Sequence, residues 1–157
     1  MLVALLLVTW ANGAPLLARL VLGDRWTRSV DGGRLFLDGQ PWLGASKTWR
    51  GWLACLLTTP ILAVLLAVPL TVGLAVALTA MLGDSASSFI KRRLRLGASQ
   101  SAPLLDQIPE SLLPVLVLWG SLGLSALESL LVVGGFLLID LALTPMASRI
   151  KGRHRHG

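Results

Sequence analysis

Charged residues make up only 14% of this chain, against roughly 25% in an average soluble domain. So few charges cannot coat a globule of 157 residues, which excludes an ordinary soluble domain. Disorder is excluded too, because disordered chains are poor in apolar residues and 54% of this chain is hydrophobic. Cysteine occurs once, at Cys55, which rules out an internal disulfide framework and a zinc site built from several cysteines. The two histidines, His154 and His156, sit in a basic tail and read as solvated. What is plentiful is apolar, with a mean hydropathy of +0.73. That balance points to a small all-α integral membrane protein. The net charge of +6 would suggest a nucleic-acid partner in a soluble protein, so the position of the charges decides its meaning.

The 14 Lys and Arg residues fall into three clusters. The first holds Arg19, Arg25, Arg28, Arg34, Lys47 and Arg50, the second Lys91, Arg92, Arg93 and Arg95, and the third Arg149, Lys151, Arg153 and Arg155. Between them run uncharged stretches at 2–18 and 51–83, and a third at 111–148 broken only by Glu128 and Asp140. A helix crosses the roughly 30 Å hydrocarbon layer with about 20 apolar residues. The 51–83 stretch is too long for one ordinary span and is interrupted by Pro60 and Pro69. A single crossing there would also put two basic clusters on opposite sides, against the positive-inside rule. Two spans turning near Pro69 avoid this, and the same parity splits 108–148 with Glu128 in the outer turn. The expectation is therefore a single transmembrane domain of about five helices, near 2–22, 50–68, 70–90, 109–127 and 129–148, with two cytoplasmic loops. It places the N-terminus outside and the C-terminus in the cytoplasm. Trp26, Trp42, Trp49 and Trp52 flank the first loop as interfacial aromatics do. Residues 2–8 have no basic segment ahead of them and no clear cleavage site after them, so they read as a span and not a signal peptide.

Three polar clusters stand out against this background. In the run from Gly83 to Arg93, helical spacing puts Asp84, Ser88, Lys91 and Arg95 on one face. An acid, a hydroxyl and two cations suit Mg²⁺ and phosphate, although a basic turn at a helix end also marks a membrane border. The first loop carries Gly44, Ser46, Lys47, Thr48, Arg50 and Gly51. These residues suit a phosphate, or else a polybasic loop resting on anionic lipid; their spacing is not that of a Walker A motif. The third cluster, Asp106, Gln107, Pro109 and Glu110, reads as the cap of the fourth span.

Taken together, the clusters resemble the CDP-archaeol synthase family, short relatives of the phosphatidate cytidylyltransferases. Ala11-Asn12 with Pro15 looks like the family's first-helix motif. Val30-Asp31-Gly32-Gly33, Asp38-Gly39 and Gly44 with Lys47-Thr48-Trp49-Arg50-Gly51 follow its first loop in order. Gly83-Asp84-Ser85 with Ser88-Phe89-Ile90-Lys91-Arg92-Arg93 is the most specific segment, and Leu105-Asp106-Gln107 stands in place of its Asp motif ahead of the fourth helix. The likeness runs from Asn12 to about Pro114.

The resemblance implies an enzyme that transfers a cytidylyl group from CTP to a membrane lipid phosphate, with Mg²⁺ as cofactor and a cytoplasmic-facing polar cavity. Carried over by motif, Asp84, Asp106 and Lys91 are the catalytic set, with Asp84 and Asp106 linked to metal. Lys47, Thr48, Arg50, Ser88, Arg92, Asn12 and Gln107 are the CTP and phosphate contacts. A catalytic histidine is not required, because a phosphate is already a competent nucleophile. The chain departs from the family where a second Asp commonly follows the Asp-Gln pair, since Pro109-Glu110 stands there instead. The wider family's Lys-Asp step is also absent after Arg92. The alternative is a non-enzymatic transporter or lipid-binding protein in which Asn12, Asp84 and Asp140 line a path. Nucleic acid is set aside, because the membrane spans separate the cations.

Overall fold

The computed structural model describes residues 1–96 and 103–153, and side-chain surroundings for 1–96 and 105–142. The described residues form five helices: α1 (Leu2–Leu22), α2 (Trp49–Leu65), α3 (Leu70–Arg93), α4 (Pro103–Leu122) and α5 (Ala126–Arg153). Arg155, His154 and His156 lie outside the described residues, as do the side chains of Arg149, Lys151 and Arg153.

Helices α1 and α2 carry apolar side chains on their outer faces. On α1 the small or apolar residues Ala4, Leu7, Val8, Ala11 and Ala14 are buried, while Leu2, Leu6, Trp10, Leu17 and Leu20 face outward. On α2 the outward stripe is Leu53, Leu57, Ile61 and Leu65, at i+4 spacing. Such apolar outer faces are unstable in water and stable against lipid tails. Helices α1 and α3 are each long and apolar enough to cross a bilayer, and α2 is a shorter apolar helix.

Helix α3 is the hub, and two glycines allow it. A Cβ on Gly73 would lie 2.5 Å from the Ala63 side chain and 2.8 Å from the Pro60 backbone. A Cβ on Gly83 would lie 2.2 Å from the Pro109 carbonyl oxygen. Without side chains at these points, α2 and α4 approach the α3 backbone closely, as small residues permit in membrane bundles.

The helix ends follow from local chemistry. Pro69 precedes α3, as the expected turn requires, and Val68 N–H closes back on Ala63 O at 2.8 Å. Gly123, at φ 62°, makes the turn between α4 and α5. Ser125 and Glu128 then cap α5 reciprocally, with Ser125 N–H donating to Glu128 at 3.0 Å and Glu128 N–H donating to the Ser125 hydroxyl at 3.2 Å.

Two sequence expectations change. Helix α3 stops at Arg93, where Leu96 N–H and Arg95 N–H bond to Lys91 O and Arg92 O and Arg95 takes φ 57°. This is a Schellman closure. Arg95 therefore leaves the face shared by Asp84, Ser88 and Lys91. Helix α4 begins at Pro103, not near 109, so Asp106 and Gln107 lie inside it and do not precede it.

Candidate active site

The first loop, residues 23–48, folds around Asp31. One carboxylate oxygen accepts from Gly33 N–H at 3.0 Å, and the other accepts from Leu43 and Gly44 N–H at 2.9 Å each. Short bridges tie Ser29 to Thr48 and Leu35 to Pro41. Partial burial raises the Asp31 pKa, but the Gly33, Gly44 and Leu43 amides outweigh it and lower the value from 3.8 to about 2. A depressed folded value stabilises the loop above the unfolded pKa and loses that contribution as pH falls through the folded one. Hydrogen exchange of residues 30–47, corrected for intrinsic rates, should therefore rise as pH drops from about 4 to 2. In Asp31→Asn the loop should exchange faster already at pH 5, with no further step.

The loop delivers Lys47 to α3, where its ammonium donates to the half-buried Asp84 carboxylate. Beside this pair lies a cavity of about 380 Å³, lined by Lys47, Thr48, Arg50 and Asp84 among others. Thr48 also starts α2, its hydroxyl accepting from Gly51 N–H at 3.4 Å. Arg50 is buried and donates to the Gly23 and Arg25 carbonyls, which binds the end of α1 to the start of α2. Ser46, which belongs to the first-loop cluster, lines the wall as well, while Arg19, Asp24 and Thr27 complete much of it and were not expected from sequence. Their signal was weak, since none of the three lies in a motif.

A polar seam between α3 and α4 continues from Asp84. Lys91, buried two turns further along α3, donates to Asp106 at 2.9 Å. Glu110, one turn after Asp106 on α4, lies against Asp84 within hydrogen-bonding reach. Ser88 is buried in the same part of α3, and the neighbouring Ser87 hydroxyl bonds Gly83 O at 2.9 Å. Buried Gln107 donates to Asp140 on α5 at 2.6 Å, giving Asp140 a place that no motif suggested. Ser88, Lys91, Asp106 and Gln107 thus belong to this seam and do not line the cavity itself.

Like Arg50, two more of the expected phosphate contacts hold backbone. Asn12 donates to Val8 O at 3.0 Å and to Glu110 O at 3.2 Å. Pro114 has no N–H to offer that carbonyl four residues before it, so Asn12 satisfies an acceptor that the proline leaves open. Arg92 donates to Leu96 O at 2.5 Å and packs against the backbone of Gly44, where a Cβ would meet its Nε at 3.3 Å.

Among the described residues, no cluster of three or more His, Cys, Asp or Glu could hold a metal ion. Mg²⁺ does not need one, because it commonly binds one or two carboxylates together with substrate phosphates. Asp84 and Glu110, with Asp106 a turn away, supply hard oxygen donors of that kind.

Fold and site together define a small helical integral membrane protein with a cavity where cations and carboxylates face a ligand-sized space. Residues 2–150 match the family model of CarS-like CDP-archaeol synthase, and the chain belongs to that family. It is 41% identical over 104 residues to the CDP-archaeol synthase of Hyperthermus butylicus, covering 62% of this chain and 59% of that protein. It is 37% identical over 103 residues to that of Thermofilum pendens, covering 62% and 50%. The matched segment thus spans only part of those relatives' length. A solved structure of an intramembrane enzyme for archaeal membrane lipids biosynthesis superposes with a TM-score of 0.74 at 34% identity, covering 90% of each chain.

Proposed function

We propose that the protein transfers a cytidylyl group from CTP to a membrane lipid phosphate. An oxygen of the lipid phosphate attacks the α-phosphorus of CTP, the bond from that phosphorus to the β-phosphate bridge breaks, and pyrophosphate leaves with the displaced charge. The observation that carries this reading is the cavity edged by Lys47, Arg50 and Asp84, with the Lys91–Asp106 pair nearby. Two polyanions have to be brought together, and lysines held in place by carboxylates can do that without leaving bare positive charge in the empty site. Lys47 exchanges its Asp84 contact for a phosphate oxygen when nucleotide enters, and Lys91 steadies the α3 side. Mg²⁺, held by Asp84 and Glu110 with Asp106 close by, would neutralise phosphate charge when bound. No protein base is needed, since the nucleophile is already ionised.

The family name makes an archaeol-type ether lipid phosphate the first substrate to test. Five spans, an outside N-terminus and a cytoplasmic site accord with the basic clusters and the positive-inside rule. The test is pyrophosphate release by purified protein in detergent with CTP and Mg²⁺, across ether-linked, diacyl and polyprenyl lipid phosphates. Release that requires both CTP and one class of lipid is expected. No release with any lipid, together with no rise in melting temperature on adding CTP and Mg²⁺, overturns the reading.

A further inference from the structure

Arg93, in the second basic cluster, is a residue that the chemistry above does not use. Arg93 ends α3, and its guanidinium carbon lies 4.7 Å from the ring centroids of both Phe36, in the first loop, and Phe89, one turn back on α3. The two rings meet edge to face at 5.4 Å, and Trp42 adds a second edge contact to Phe36 at 5.2 Å. The same guanidinium pairs with Asp38 at 2.8 Å and donates to Pro41 O at 2.8 Å. Every one of these partners except Phe89 belongs to the segment 36–42. That segment closes on itself, with Phe36 N–H bonding Gln40 O at 2.7 Å. Five residues beyond it comes Lys47, seated on Asp84 of the same helix.

We propose that Arg93 is the positioning residue of the cavity: it latches the first loop to the end of α3, so that Lys47 is held against Asp84 and Ser46 at the cavity wall. The proposal rests on the cytidylyltransferase reading for its catalytic consequence, though not for the latch itself. Its physical basis is the guanidinium's shape. A planar fork stacks on an aromatic face while its edge makes an ion pair and a hydrogen bond, which an ammonium cannot do together. A glycine-bearing loop needs such a clamp, because its own turn bonds do not fix where it sits on the bundle. Arg93 is not among the residues that line the cavity. Its loss should therefore weaken the placing of nucleotide and leave the reacting groups themselves unaltered.

Two readouts on the full-length protein in detergent decide the matter. Backbone hydrogen exchange of residues 34–47 should rise at least tenfold in Arg93→Ala, and Arg93→Lys should recover only part of the protection, while α1 and α2 keep theirs. Pyrophosphate release should show an apparent KM for CTP raised about tenfold, with kcat changed less than threefold, as expected when positioning contacts are lost and the reacting groups remain. Asp38→Asn should move both quantities the same way and add little in the Arg93→Ala background. Unchanged exchange in Arg93→Ala overturns the latch, whatever the chemistry proves to be. Freed exchange with an unchanged KM overturns the positioning role. Wild-type protein that releases no pyrophosphate defeats the cytidylyltransferase reading and with it the catalytic half of the proposal, and exchange still decides the latch.

Discussion

Asp84→Asn should lower pyrophosphate release by about a hundredfold to a thousandfold, the range seen when one group that stabilises developing charge is removed. Asp84 joins the two halves of the site. It receives Lys47 from the first loop, touches Glu110 on α4 and lines the cavity. The substitution keeps the side chain's shape but removes its charge, so nucleotide loses an anionic partner for its cation and Lys47 loses its seat. Breaking such a pair also costs stability, on the order of 3–5 kcal/mol for a fully buried one and less here, since both side chains retain some exposure. The double variant Asp84→Asn with Lys47→Met separates the two effects. It should regain most of the lost melting temperature and none of the lost activity. Wild-type turnover in a folded Asp84→Asn protein would remove Asp84 from the site.

Among the described glycines, Gly83→Ala should be the most damaging substitution by alanine. The added carbon would sit 2.2 Å from the Pro109 carbonyl oxygen and 2.6 Å from its carbon, and neither backbone atom can rotate away. Helix α4 must then move off α3. Overpacking of side chains typically costs about 1–3 kcal/mol, and a clash with backbone belongs at or above the top of that range. The consequence is catalytic as well, because Asp106 and Glu110 ride on the part of α4 that Gly83 admits. Thermal unfolding in detergent should show a large fall for Gly83→Ala and almost none for Gly134→Ala, whose added carbon meets no atom within 4 Å. Equal melting temperatures for the two variants would contradict the close α3–α4 contact.

Much of the site was legible as a set of residues and little of it as a geometry. Asp84, Lys47, Lys91 and Asp106 stand out because charge is rare beside apolar runs. Their pairing is not readable, since Lys47 and Asp84 are 37 residues apart and Lys91 and Asp106 are 15 apart. Asn12 illustrates the opposite limit. A polar residue within a span suggests a ligand contact, yet its amide serves a carbonyl exposed by Pro114, which is 102 positions later in the chain. Glu110 is visible as the acid standing where the family has a second Asp, and its place against Asp84 suits a carboxylate that takes over that position. Asp140 has no motif at all, and only the packing of α5 gives it Gln107 as a partner.

By itself the sequence determined the membrane class, the three long apolar stretches and the three places where positive charge gathers. These are sums over neighbouring residues, and hydropathy and charge add locally. The tertiary structure alone decided which cation answers which carboxylate, and that Arg93 grips the loop where its neighbour Arg92 packs on Gly44. The physical reason is that such pairings require backbones to approach at Gly73 and Gly83 and a loop to fold back over α3. Both are contacts between segments far apart in the chain, and no window of sequence contains them.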